Sequence, residues 1–235
     1  IHLHKEIMDI ENKIDPLNFG ETVWVVKPED LANIGAFFKT GIFCSTRTIA
    51  VSGDSLKSPK YFSTVIGSSI SSLINNDEIN DINNYRFING DPLSGSKVEY
   101  SDYIGFYNNC LSVIEEGNNY RMLGWLPFMY NSVPSLSKTS FSWLLSGAKK
   151  VNTNLNGEER AIVVTGEMEK YFPMDIFPMQ LIKACIRGDI EKMESLGIYE
   201  VVPEDFGLVD FSCTSKIEAQ EIIKSGIQIM LKEVG

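Results

Sequence analysis

Apolar positions along the chain change their period three times. Residues 22–26 are a short β-branched run that predicts a buried strand. Pro28 follows where helices favour proline, Glu29 and Asp30 complement the positive end of the helix, and Leu31, Ile34, Phe37 and Phe38 share one face. Gly41 predicts the end of that helix, and residues 46–51 read as the next strand. Strand, helix and strand in so short a span predict a βαβ unit with a parallel pair and a right-handed crossover.

From Ser55 to Glu116 the texture is finer. Short apolar segments at 62–66, 85–88 and 110–114 alternate with turns rich in Ser, Asn and Gly, and residues 67–74 can open a short helix. A small α+β domain is expected here, a few strands gripping one helix. Residues 118–165 read as irregular, with one short helix at 140–145. Beyond Pro178 the period is helical: Met179, Leu181, Ile182, Cys185 and Ile186 form a stripe, Asp189 can cap a second helix, and Gly197 closes it. Ser215-Lys216-Ile217-Glu218 has the form of a capping box, followed by Ile222, Ile223, Ile227, Met230 and Leu231 at helical spacing. The expected class is α+β, with boundaries at 1–54, 55–117 and 118–235.

Charge and composition narrow the function. The chain has 235 residues, 21 basic and 31 acidic, for a net charge of −10, which disfavours a nucleic-acid partner because phosphates would not be neutralised. No apolar run approaches the ~20 residues of a membrane span, and no signal peptide is visible. The only histidines, His2 and His4, stand at the start, so general-base or zinc chemistry on an interior His is excluded. Cys44, Cys110, Cys185 and Cys213 form no C-x-x-C pair and read as reduced thiols, not as a metal or cluster site. The chain starts at Ile1 without Met, as a piece of a longer protein would.

Several local features carry a bland reading beside a functional one. His2-x-His4 reads as a terminus before it reads as a metal pair, and Cys213, with no His near it in sequence, as a structural or partner-facing thiol. Asn89-Gly90-Asp91-Pro92-Leu93-Ser94-Gly95 is a tight turn before it is a ligand loop, since it matches no phosphate-binding pattern. Glu115-Glu116 and Glu158-Glu159 read as solvated surface. The segment 171–179 is the least ordinary: Phe172, Pro173, Met174, Asp175, Phe177 and Pro178 form an extended aromatic and Met-rich strip around one acid. It either docks a partner or an apolar ligand such as a quinone, or is a buried connection into the helices.

The order of these segments resembles the alpha (A) subunit of the bacterial Na+-translocating NADH:quinone reductase. The resemblance runs from Val23-Trp24 and the helix 30–38 through Thr46-Arg47-Thr48-Ile49-Ala50, Pro59-Lys60, Thr64-Val65-Ile66-Gly67 and the turn 89–95. It continues in Ser112-Val113-Ile114-Glu115-Glu116-Gly117, Leu123-Gly124-Trp125 and Glu159-Arg160-Ala161. Pro173-Met174-Asp175-Ile176-x-Pro178, with Gly188-Asp189 beyond, is its most specific piece, and Glu204-Asp205 and Phe211-Ser212-Cys213 complete it. A departure follows Cys213: Thr214-Ser215-Lys216 stands where the family often has Pro-Gly-Lys, and the first cysteine of that family's pair is absent.

The resemblance implies a Rossmann-like portion, a β-grasp domain of the soluble-ligand-binding type and a mainly helical C-terminal domain, similar in fold to the NADH-oxidising flavoprotein of respiratory complex I and the C subunit of the Rnf complex. It also implies a further N-terminal region in the full-length polypeptide. The implied function is that of a peripheral subunit on the cytoplasmic face of the bacterial inner membrane, without catalytic or metal-binding residues of its own, docking on membrane subunits. The implied complex is an oxidoreductase and sodium transporter using NADH, flavins, an iron–sulfur cluster and ubiquinone, with the strip Phe172–Pro178 as its quinone or partner surface. Two other classes stay open: a stand-alone soluble module binding a small ligand, and a free-standing oxidoreductase with bound flavin or nucleotide.

Overall fold

Strands form in this chain where β-branched and aromatic residues find a ladder partner, and the computed structural model shows which runs do. It describes residues 17–74, 79, 81–117, 122–123, 126, 133–144 and 151–234. The chain divides into two units: Val23–Tyr120 with Lys150–Asn154, and Ile1–Thr22, Arg121–Lys149 and Leu155–Gly235.

The first unit opens with helix α1 (Pro28–Thr40), which has Pro at its start and the left-handed Gly41 as its C-cap, the amide of Gly41 donating to the Phe37 carbonyl. A five-stranded sheet follows, from β1 (Thr46–Ser52), β2 (Lys60–Val65), β3 (Tyr85–Asn89), β4 (Ser96–Val98) and β5 (Cys110–Glu115), with the short helix α2 (Ile70–Leu73) between β2 and β3. The strand order is β2-β1-β5-β3-β4. β1 pairs antiparallel with β2 (Thr46 opposite Val65) and parallel with β5 (Ala50 opposite Cys110), while β3 lies antiparallel to β5 and β4. One face of the sheet packs Ile49, Val51, Phe87, Leu111 and Val113 against Ile70, Leu73 and Ile74 from α2 and its flank. This is the expected arrangement of strands around one helix, but β1 belongs to it, although it precedes Ser55.

The strand expected over residues 22–26 does not form. Among the described residues they have no ladder partner, and Trp24 is 88% exposed. β-branched composition makes a strand only beside an unpaired edge, and β1 already has strands on both sides. The predicted parallel partner of β1 is instead β5, sixty positions later in the chain.

A strap of residues 151–154 returns to the sheet beyond β5. Thr153 donates its amide to the Glu115 carbonyl (3.2 Å), and its hydroxyl accepts from the Gly117 amide (2.7 Å) and donates to Glu116 (2.9 Å). Glu116 also receives both ends of the Arg86 fork, Nε at 2.9 Å. The Arg86 bonds, with Thr153 adding to them, hold the Glu116 carboxyl below its ordinary value against a smaller desolvation effect. In Asp91, burial acts to raise the carboxyl, and is outweighed by hydrogen bonds from the Ser94 hydroxyl and the Leu93 and Ser94 amides, so it too lies below its ordinary value.

A depressed folded-state carboxyl gives stability that is complete above the unfolded-state value and is lost as pH falls through the folded one. The unit is therefore expected to lose stability steadily on acidification below about pH 5. Glu116→Gln should flatten that slope, as read by urea unfolding at a series of pH values; an unchanged slope would refute the assignment.

The second unit is helical: α3 (Glu167–Tyr171), α4 (Pro178–Arg187), α5 (Ile190–Ser195), α6 (Gly207–Ser212) and α7 (Ala219–Val234). The stripe expected on α4 is buried except Ile186, and Leu181 and Ile182 are wholly enclosed with Met179, Met193, Phe206, Val209 and Ile223. α4 and α7 meet so closely that a Cβ on Gly226 would stand 2.5 Å from Cys185 Sγ. The same burial pushes the Cys185 thiol up to about 11, so it is an inert protonated wall of the contact. Asp189 caps α5 through the Lys192 amide, as its position predicts.

The expected capping box before α7 is not formed. Lys216 has a φ of +52°, which breaks the helical path at that point, and the Ser215 hydroxyl donates to the Ala161 carbonyl instead. The N-terminus of α7 is closed by Asp210, whose carboxylate accepts from the Ala219 amide (2.6 Å), the Gln220 amide (3.3 Å) and Gln220 Nε2 (2.8 Å). Burial, outweighing those bonds, moves the Asp210 carboxyl above its ordinary value.

Candidate functional site

The densest polar cluster of the first unit gathers where α1 meets the sheet. Placing Glu29 and Asp30 in the first turn of the helix turns both carboxylates toward β1 and the segment before β5. Arg47 of β1 is 3% exposed; it pairs with Asp30, donates through Nη1 to the Phe106 carbonyl, and lies 5.7 Å from the centroid of the Phe106 ring. Glu29 accepts from the Thr48 amide (3.3 Å) and from Asn109 Nδ2 (2.7 Å), and Lys27 Nζ donates to the Tyr107 carbonyl. α1 is thus held by a charged clasp at one end, and none of its residues is buried.

The turn 89–95 lies next to this clasp through residues 105–110. Gly90 donates its amide to the Cys110 carbonyl and accepts from the Ser112 hydroxyl (2.8 Å), and Asn108 Nδ2 donates to the Asn89 carbonyl at 3.5 Å. A Cβ on Gly95 would meet the Asp91 carbonyl at 2.5 Å, and one on Gly105 would meet Asn89 Nδ2 at 2.7 Å. These glycines bring backbone close to backbone and to a buried amide, which is the tight-turn reading of the segment. Asn89 Oδ1, Asn109 Oδ1 and Arg47 Nε are buried without a hydrogen-bond partner among the described residues.

The strip 171–179 is not the extended segment that its prolines predict: Tyr171 ends α3, residues 173–176 are a run of bends, and Pro178 and Met179 open α4, so the strip is a bent link between two helices. Phe172 and Met174 are buried in the helical unit, the Phe172 ring 4.7 Å from that of Phe206, and Pro178 is buried at the start of α4. Pro173 is half-buried, whereas Asp175 and Phe177 are exposed, Phe177 at 63%. Three of the six residues singled out from sequence therefore line this unit's own core, and two face outward.

Other sequence candidates are dispersed. Cys44 is exposed ahead of β1, Cys110 opens β5 beside the Ser52 and Ser112 hydroxyls (3.9 and 3.7 Å), and Cys185 and Cys213 are buried among the helices. Among the described residues no three His, Cys, Asp or Glu side chains converge. His2 and His4 lie outside the described residues. Glu115 is exposed, and Glu116 is bound into the strap, which sequence reasoning missed because its partners, Arg86 and Thr153, are about thirty or more positions away. Among the described residues no helix is long and apolar enough to cross a membrane.

Comparison with known proteins places these elements in a family. The model of the NQRA C-terminal domain matches residues 48–100, from within β1 through β4. The A subunit of the Na(+)-translocating NADH-quinone reductase of Neisseria meningitidis serogroup C is 34% identical over 225 residues, covering 94% of this chain and 49% of that protein. The corresponding proteins of Pasteurella multocida (strain Pm70) and Haemophilus influenzae (strain PittGG) are also 34% identical, over 226 and 221 residues, with the same coverage. The chain spans about half the length of the curated relatives it matches. Each of these matches covers nearly the whole of the chain, and the chain is a homologue of the A subunit of the Na(+)-translocating NADH-quinone reductases.

Proposed function

We propose that the chain serves as a peripheral subunit of a Na+-translocating NADH-quinone reductase, one that carries no redox group and acts by docking on its partner subunits. The observation that carries this reading is the 34% identity maintained over 94% of the chain. NADH, flavins, the iron–sulfur cluster and ubiquinone are then groups of the complex, held by other chains at or near the cytoplasmic face of the membrane.

The sheet order β2-β1-β5-β3-β4 with its parallel central pair supports reading residues 46–115 as a β-grasp domain. We read α1 and the run before it as belonging to a Rossmann-like layer, and residues 155–234 as the helical domain. Within the helical domain Phe177 and Asp175 are the part of the strip offered to a partner or a quinone, with Phe172, Met174 and Pro178 fixing its position from below.

Co-purification tests the proposal. The affinity-tagged full-length polypeptide, expressed in its native membrane, should bring down the other reductase subunits together with NADH:quinone reductase activity. Recovery of the tagged polypeptide by itself, from membranes in which the complex is intact, would overturn the reading.

A further inference from the structure

The lysines of the helical unit are not alike. Lys170, Lys192 and Lys224 each pair with an acid three positions earlier, Glu167, Asp189 and Glu221, at 2.6, 3.0 and 3.3 Å. Lys216 makes no ion pair among the described residues, in a chain with 31 acidic and only 21 basic side chains. Glu158, Glu159 and Glu218 stand near it along the chain or across from it, and all three are exposed to water instead.

Its placement is fixed by the chain on both sides. The backbone of Lys216 is held at a φ of +52°, a conformation that a lysine keeps only where its surroundings impose it. Beside it the Arg160 amide donates to the Ser215 carbonyl at 2.8 Å, and the Ser215 hydroxyl donates to the Ala161 carbonyl at 3.0 Å. These bonds lay residues 157–161 alongside residues 213–216. Gly157 leaves the room for the side chain: the three atoms nearest to a Cβ built there are Cε, Cγ and Cδ of Lys216, at 3.2, 3.4 and 3.9 Å. The stem therefore lies along the glycine, half-buried, and the amine at its end is partly withdrawn from water.

We propose that Lys216 is a site of covalent modification, the amine of the helical unit that an acyl phosphate acylates first. In that reaction the Nζ lone pair attacks the acyl carbonyl carbon and an N–C bond forms. The C–O bond to phosphate breaks, and phosphate leaves with the electron pair and takes up the proton that the amine loses. The nucleophile is the neutral amine. Burial pushes the Lys216 ammonium below its ordinary value, against a smaller opposing effect of the Cys213 thiol, whereas the hydrogen bond to Glu167 holds Lys170 above it. The acylated side chain is uncharged, so it keeps the packing on Gly157 without an unpaired cation there. This goes beyond the role proposed for the chain and stands or falls without it.

Acetyl phosphate tests it. The intact protein is incubated near neutral pH, digested with a Glu-specific protease and followed by mass spectrometry. Lys216 should be acetylated about fivefold or more faster than Lys170, since each unit between two amines is worth tenfold in the neutral form. The difference should vanish in concentrated urea, where both side chains are solvated. Acetylation of the folded protein at Lys216 no faster than at Lys170 would overturn the proposal. In Gly157→Ala the added methyl meets the Lys216 stem and displaces it toward water, which should at least halve the Lys216 rate and leave Lys170 unchanged. An unchanged Lys216 rate in that variant would overturn it equally. If Gly157→Ala fails to fold, the parent protein carries the test: the Lys216 rate should reach half its maximum at a lower pH when folded than in urea, and coincident profiles would refute the assignment.

Discussion

Gly53→Ala is expected to unfold the sheet unit. Gly53 follows β1 with a φ of +143°, and a Cβ placed on it would lie 1.8 Å from the Val113 carbonyl oxygen and 2.7 Å from its carbon. Both contacts are to β5 backbone, in register with the parallel pair Ser52 and Ser112, so the clash is relieved only by parting the two central strands. A side chain at such a φ costs about 1–3 kcal/mol by itself, and overpacking adds about as much again. A total of about 3–5 kcal/mol is a large share of the ~5–15 kcal/mol that holds a domain together. Hydrogen exchange should show Ile49, Val51, Leu111 and Val113, wholly or nearly wholly buried, losing protection together. Gly35→Ala, in open space on α1, should instead stabilise by up to about 1 kcal/mol through helix propensity. Equal effects at the two glycines would refute the close approach of β1 and β5.

Asp30→Asn is expected to cost about 2–4 kcal/mol, somewhat below the usual range for breaking a buried pair because Asp30 keeps 24% exposure. The loss falls on Arg47, whose side chain is 2% exposed and whose cation would be stranded without a counter-charge. Arg47→Met should cost less, since the Asp30 left behind reaches water. The double variant Arg47→Met with Asp30→Asn should lie closest to the parent, because an apolar replacement of the buried cation together with a neutral partner leaves no buried charge. The local readout is exchange along residues 31–40, which should quicken in Asp30→Asn as α1 loses its anchor. Additive single effects in this cycle would mean that Asp30 and Arg47 act independently.

Local signals made most elements legible. Pro28 and Gly41 bracket α1, Asp189 starts α5, and the β-branched or aromatic runs at β1, β3 and β5 carry their own strand propensity. Pairing was another matter. By composition residues 22–26 compete well with 46–51, and the choice is made by what lies across the sheet, which no window of sequence contains.

The cap of α7 failed for the same reason. Ser215-x-x-Glu218 has the right letters, but the left-handed Lys216 diverts the chain and Asp210, from the preceding helix, reaches the free amides first. In the strip 171–179 Phe172 and Met174 are buried while Asp175 and Phe177 are exposed, a division set by the bends at 173–176, which the two prolines do not announce. The clasp around Arg47 was not readable, because its carboxylate partner Asp30 is seventeen positions away and its carbonyl partner Phe106 fifty-nine.

The strap at residues 151–154 has a consequence for the order in which the molecule is made. The central pair must bring Ala50 to Cys110 before it exists, and the strap then has to reach the end of β5 from beyond residue 150. The helical unit, by contrast, closes α7 with Asp210 only nine positions away. Contacts between distant positions slow folding, and a chain leaves the ribosome from its N-terminus at about 5–20 residues per second. For the seconds between the appearance of Glu115 and that of Thr153, the nascent sheet therefore carries an open end at Glu115, Glu116 and Gly117, and the protein's most exposed moment falls during its own synthesis.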